Sequence, residues 1–204
     1  MLKLCQLSIH SPFSQFLIKE YAMEEDFKYA SHFKRTERQQ QSLLGACMGK
    51  ILASSFTETH PLDWKVLRKN RNIPILSSDK KNDPIYLSIS HSQDQVLVAV
   101  STKYNIGIDI EIMKPTRDIG RIIGMITPHI SETLPKTMDE LYVIWTQFES
   151  YYKVSGYAQL PALPRHINSH ISSLVTKNNQ ISHIFWGSKK EHAHISLCLS
   201  TCSI

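Results

Sequence analysis

Several signatures of common function classes are missing from this chain of 204 residues. Its four cysteines, Cys5, Cys47, Cys198 and Cys202, form no Cys-x-x-Cys pair. Neither a zinc site nor a disulfide framework is therefore indicated, and free thiols in a reducing cytoplasm are expected. No apolar run approaches the length of a membrane span. The first residues, Met-Leu-Lys-Leu-Cys-Gln-Leu-Ser-Ile, are broken by Lys3, Gln6 and Ser8, so they read as a strand rather than a signal peptide. No Gly-x-Ser-x-Gly elbow occurs, which removes the main support for a Ser-His-Asp hydrolase. Gly45-Ala-Cys-Met-Gly49-Lys50 is one residue short of a phosphate loop and has no Ser or Thr after the lysine, so helix packing explains it better. There is no low-complexity tract. Histidines are plentiful, yet neither His166 with His170 nor His192 with His194 has the companion ligands of a zinc site, and surface or structural roles are expected.

What is present points to a globular protein with an anionic partner. The length allows one large domain or two small lobes with enough core to fold unaided. The formal net charge is +5 and the pI is near 9.0. Nucleic acid is disfavoured as the partner, because no binding motif is present and the basic residues are dispersed.

Residues 106–112 alternate isoleucine with other residues, giving a strand that carries Asp109 and Glu111 on one side, roughly 7 Å apart. Like charges so placed repel unless a cation or base neutralises them. Hard carboxylate oxygens suit Mg²⁺, which takes one or two protein carboxylates and completes its shell with water and phosphate. Equally, this could be the solvated face of an edge strand. Residues 138–154 have helical, amphipathic spacing, with apolar residues at 141, 144, 145, 148 and 152. Glu149 and Lys153 are an i,i+4 pair there: an ordinary helix-surface salt bridge, or a third carboxylate and a phosphate-gripping ammonium. Upstream, Ser90, His91 and Ser92 end a strand-like run, and hydroxyls and an imidazole there can bind phosphate oxygens.

The remaining pattern reads as a strand over 1–10, helices over 13–33 and 35–56, a polar turn over 76–84, and a strand at 96–100. The boundary between lobes falls near 102–105. Residues 113–137 form either a plain connection with one short helix or a mobile lid that helps dock a partner. A helix stop is expected at Gly156. Strands follow over 171–176, 181–187 and 193–200, with a hairpin turn at 177–180.

Taken in order, Ser-Ile-Ser-His-Ser (88–92), Gly-Ile-Asp-Ile-Glu (107–111) and Trp-Thr-x-x-Glu-Ser-x-x-Lys (145–153) closely resemble the 4′-phosphopantetheinyl transferases of the long, two-lobed, surfactin-synthetase-activating type. The resemblance implies an α/β (α+β) fold of two similar, pseudo-symmetric lobes, each an antiparallel-rich sheet with packed helices, and an active site in the cleft between them. The lobes would be 1–103, binding coenzyme A phosphates, and 104–204, carrying the metal site and catalytic helix. It implies transfer of the phosphopantetheine arm of coenzyme A to a serine of an apo acyl or peptidyl carrier protein, the holo-carrier synthase reaction, with release of adenosine 3′,5′-bisphosphate. Position by position, Asp109, Glu111 and Glu149 match the acids that bind Mg²⁺ (or Mn²⁺). Glu149 also matches the base on the carrier serine, and Lys153 the lysine on the reacting phosphate. Ser90 and His91 match the pair that holds coenzyme A phosphates, and Lys34, Arg35 and Arg38 lie in a stretch like the 3′-phosphate-binding region.

Carrier proteins are acidic around that serine, so a basic enzyme would be steered toward them. A cytoplasmic monomer is expected, with no membrane or nucleic-acid partner. Two positions depart from the pattern. Phe148 and Ile73 stand where lysines are usual, which removes positive charge from the coenzyme A side. Lys65, Arg68, Lys69 and Arg71 are nearby bases that could compensate. A degenerate member that binds without turnover, and an unrelated metal-dependent phosphoesterase or nuclease, are the alternatives.

Overall fold

In the computed structural model the described residues are 1–69, 73–114, 118–127, 135–154, 171–175, 181–190 and 193–200. Gly156, the 177–180 turn, His166, His170, His192, Arg71 and Cys202 lie outside them, as do the side chains of Lys69 and Ile73. The chain divides into two compact units, Met1–Lys103 and Tyr104–Ile204. Each is mixed α and β with an antiparallel sheet.

The first unit holds strands β1 (Leu2–Ser8), β2 (Lys65–Lys69), β3 (Ile73–Ser78), β4 (Lys81–Ser92) and β5 (Gln95–Ser101) in the order β1-β5-β4-β3-β2. Its helices are α1 (Pro12–Tyr21), α2 (Glu24–Ala30) and α3 (Thr36–Thr57). The single helix expected over 13–33 is two. Helix α1 starts with Ser11 accepting the Ser14 N–H and Pro12 in the first turn, and it ends before Met23. A new helix then begins because the Asp26 carboxylate accepts the Met23 N–H at 2.9 Å. Asp26 also pairs with the fully buried Lys50 of α3, whose ammonium further donates to Tyr21 O. The polar turn expected over 76–84 shrinks to residues 79 and 80, since Ser78 already pairs with Lys81 across the hairpin.

Helix α3 lies on one face of this sheet through two glycines. A β-carbon on Gly45 would stand 2.8 Å from Ile89, and one on Gly49 would stand 2.9 Å from Leu87. The Gly45–Lys50 segment is thus a packing device, as its sequence indicates. Val96, Val98 and Val100 complete the core with Leu44, Cys47, Met48 and Trp64. Burial pushes the Cys47 thiol up to about 12.

The second unit holds β6 (Asn105–Ile112), β7 (Ile171–Val175), β8 (Ile181–Lys190) and β9 (Ala193–Ser200), ordered β6-β9-β8-β7. Helices α4 (Ile119–Ile126) and α5 (Met138–Val154) complete it. Thr137 starts α5 by accepting the Glu140 N–H. Among the described residues, no helix is long and apolar enough to cross a membrane.

Gly107 sets how close α5 comes to β6. A β-carbon there would lie 1.9 Å from Ser150 O and 2.9 Å from Val154 N, atoms of the helix backbone itself. No side chain can be bent aside to make room, so any larger residue moves the helix. Asn105 secures the far end, its amide donating to Val154 O at 2.8 Å. We expect Gly107→Ala to destabilise the second unit by about 3 kcal/mol or more, an overpacking cost at the upper end of the usual range. Urea unfolding followed by circular dichroism measures it; a change below about 1 kcal/mol would contradict the close approach.

Candidate functional site

The strand β6 has two unlike faces. Ile106, Ile108 and Ile110 are buried on one. Asn105, Gly107, Asp109 and Glu111 line the other, and this polar face is the one α5 covers. The solvated edge-strand reading of the two acids is therefore set aside. Asp109 is only 5% exposed, although β6 is the edge of its sheet.

Helix α5 meets each acid with a donor. Lys153 Nζ lies 2.8 Å from Asp109 Oδ1 and 2.9 Å from Ile108 O. Trp145 Nε1 donates to Glu111 Oε1 at 3.1 Å. Trp145, Glu149 and Lys153 are spaced four apart, one turn each, so they form one stripe on the helix. Its two ends touch the acidic face, and half-buried Glu149 stands between them. The Glu149–Lys153 pair is thus more than a surface pair, because Lys153 is committed to the strand. Among the described residues, no group of three or more His, Cys, Asp and Glu side chains is arranged to hold a metal ion. What the strand itself offers is a pair of hard oxygen donors, Asp109 and Glu111.

The next strand continues this face. Ser196 of β9 pairs with Asp109 across the ladder, and His194 pairs with Glu111. Ser196 shares a 2.8 Å hydroxyl hydrogen bond with Thr146 of α5. His194 is buried rather than on the surface. Its ring stacks on Tyr142 with centroids 5.9 Å apart, and Nε2 lies 3.4 Å from Asp139 Oδ1. Tyr142 Oη in turn accepts the Lys114 N–H just beyond the end of β6.

Phe148 does not share the stripe of Trp145, Glu149 and Lys153. It is buried with Ile122 of α4 and with Leu141 and Ile144, and it stacks between Trp145 and Tyr152. A lysine at this position would have to give up that packing.

In the first unit, Ser90 and His91 fall at the end of β4, as their sequence indicates, but on opposite faces. The β4–β5 register is regular through Ser92, so neighbouring side chains alternate. Ile85, Leu87 and Ile89 face α3, which places His91 on that side and Ser88, Ser90 and Ser92 on the other. The hairpin between β4 and β5 has Gln93 at φ 52, and Gln41 of α3 donates to Gln93 O at 2.5 Å.

Lys34 and Arg35 are exposed beside the start of α3, Arg35 being the residue before its first turn. Arg38, one turn further, is half-buried over the Phe33 ring, 4.4 Å from its centroid. The sequence alone does not pair it with Arg68 of β2, which lies 3.6 Å over Tyr29. Tyr29 and Phe33 meet edge to face at 5.5 Å. The two guanidiniums thus flank one aromatic pair. Desolvation by burial lowers the pKa of both, and for Arg38 the charge of Arg68 adds to the effect. Cation–π contact holds these two like charges close to one aromatic pair. The Tyr29–Phe33 i,i+4 spacing just before the basic residues is the sequence signal that marks it.

No protein-family model matches the chain. Over 138 residues it is 26% identical to the 4′-phosphopantetheinyl transferase HetI of Nostoc sp. strain PCC 7120. The chain is similar to a phosphopantetheinyl transferase. The matched part is 65% of this chain, and it spans 58% of the Nostoc transferase.

The Lys153–Asp109 contact has a measurable consequence. Lys153→Met leaves a buried carboxylate without its cation, at a cost of about 3 kcal/mol, the lower end of the range for breaking a buried pair because Lys153 is partly exposed. Adding Asp109→Asn should recover most of that loss, since neither charge then remains. A double-mutant cycle in urea, with chelator present, reads the coupling; a value near zero would rule out the ion pair.

Proposed function

We propose that this chain transfers the 4′-phosphopantetheine arm of coenzyme A to a serine hydroxyl of an apo carrier protein, releasing adenosine 3′,5′-bisphosphate. The observation that carries this reading is the acidic face of β6 beneath α5. Asp109, Glu111, Glu149 and Lys153 all belong to this strand and helix, at the positions of the transferase motifs. The likeness to the Nostoc transferase supports it.

Asp109 and Glu111 fit a hard divalent cation such as Mg²⁺ by donor type, since one or two carboxylates suffice when substrate phosphate and water supply the rest. When bound there, the ion would neutralise charge on the pyrophosphate. Glu149 is the residue to accept the proton of the carrier serine as its oxygen forms the new bond to phosphorus. The bond from that phosphorus to the departing adenosine bisphosphate breaks in the same transfer. Lys153 places an ammonium beside the acids, where it can meet charge that grows on the phosphoryl oxygens. On the phosphate-gripping side, we assign Ser90, His91, Lys34, Arg35 and Arg38 to coenzyme A, and add Arg68. This second guanidinium adds positive charge in the unit where Ile73 stands in place of a lysine. The net charge of +5 favours an acidic carrier surface.

Incubation with coenzyme A, Mg²⁺ and a panel of apo carriers, followed by mass spectrometry, tests the reaction. One carrier should gain the mass of a single phosphopantetheine. Asp109→Ala and Glu149→Gln should each abolish the gain while circular dichroism stays native, and full activity in either would refute the assignment. Hydrolysis of phosphate esters without a carrier would instead indicate a phosphoesterase.

The arginine pair predicts a split in the kinetics. Arg38→Ala or Arg68→Ala should raise KM for coenzyme A about ten-fold, roughly 1.4 kcal/mol of binding, with kcat little changed. A fall in kcat at constant KM would contradict a binding role.

A further inference from the structure

We propose that His194 is a positioning residue for the carboxylate of Glu111. This deepens the reading above and rests on it, because Glu111 matters only if the acidic face is the working site. Three contacts lead to His194. The β6–β9 register sets it directly opposite Glu111, on the face that α5 covers. Paired positions across an antiparallel ladder hold their β-carbons about 4.5–5.5 Å apart, so imidazole and carboxylate occupy adjoining space. The ring is 2% exposed and nearly parallel to Tyr142, at 14°, which leaves it little freedom to turn. Its Nε2 lies 3.4 Å from Asp139 Oδ1 in the first turn of α5, an ion-pair distance without a hydrogen bond.

The same helix contacts Glu111 at one point and the end of its strand at another. Trp145 Nε1 takes one carboxylate oxygen. Tyr142, the stacking partner of His194, fixes the exit of β6 by accepting the Lys114 N–H at 2.9 Å. Glu111 thus projects from a strand whose end is pinned, against an indole donor and beside a locked imidazole. A half-buried glutamate has three side-chain torsions to order, so such a frame narrows where its oxygens can be. Groups that orient a metal-binding carboxylate from behind typically change metal affinity by about 10–100-fold when replaced.

The test uses the whole protein and Mn²⁺ alone, with affinity read by calorimetry or by the electron paramagnetic resonance of free Mn²⁺. His194→Phe keeps an aromatic ring against Tyr142 and removes both ring nitrogens. It should weaken Mn²⁺ binding about ten-fold, with a melting temperature close to the parent. His194→Gln, which restores a polar group at similar reach, should recover part of that loss. If His194→Phe fails to fold, His194→Gln and Asp139→Asn carry the test, and at least a two-fold weakening is expected in each. Parent-like Mn²⁺ affinity in the folded His194 variants, alongside loss of binding in Asp109→Asn, overturns the proposal and leaves the acidic site standing. Absence of Mn²⁺ binding by the parent protein, both alone and with coenzyme A present, overturns both.

Discussion

The contact of α5 with β6 at Gly107 is the constraint on which the second unit depends. Helices usually rest on sheets through side chains, which keeps the backbones well apart. Here helix backbone sits where a β-carbon would be, 1.9 Å from Ser150 O. Every other contact of the candidate site is short-range and follows from that approach. Lys153 reaches Asp109 and the Ile108 carbonyl, Trp145 reaches Glu111, and Asn105 reaches the last turn of the helix. A helix displaced by the width of a methyl group would break hydrogen bonds that are near 3 Å, since these weaken steeply with distance and angle.

That closeness also explains why a polar strand face can be buried. Removing Asp109 from water is costly unless a cation and hydrogen bonds replace the solvent. The helix brings the cation with it as Lys153. The isoleucines of the opposite face contribute the apolar burial that holds the strand in place. One strand thus divides its two faces by the period of two: apolar burial on one and a buried polar cluster on the other. The first unit solves a related problem differently. Two arginines lie against one aromatic pair, and the nearby Asp26 carboxylate also favours the charged form of Arg68. Lys50 is the contrasting case, a buried lysine tied to Asp26 and spent on joining α2 to α3.

Period-two and period-four patterns made much of the fold legible. The alternating isoleucines of 106–112, the 138–154 helix, the Ser-His strand end and the three C-terminal strands are found where the pattern places them. Helix breaks were less legible. The interruption at Ala22–Met23 comes from the Asp26 carboxylate, which caps a new helix while paired with a lysine 24 residues away, and no local propensity reports such a pairing. A surface or a structural role is expected for His194, and which of the two holds was not legible for the same reason: the residue is buried. A lone histidine on a strand has no companion ligand in sequence, and its companions here, Tyr142 and Asp139, come from a helix about 50 residues earlier.

The sequence by itself determined which residues share a face: Asp109 with Glu111 on a strand, and Trp145, Glu149 and Lys153 on a helix stripe. These follow from the geometry of a single element. Only the tertiary structure decided which faces meet. It turned the acids toward α5 rather than toward water, sent Phe148 into the packing with α4, separated Ser90 from His91 across the sheet, and joined Arg38 to Arg68. Each is a matter of long-range packing, where a missing β-carbon at Gly107 or an aromatic ring at Tyr29 outweighs local preference.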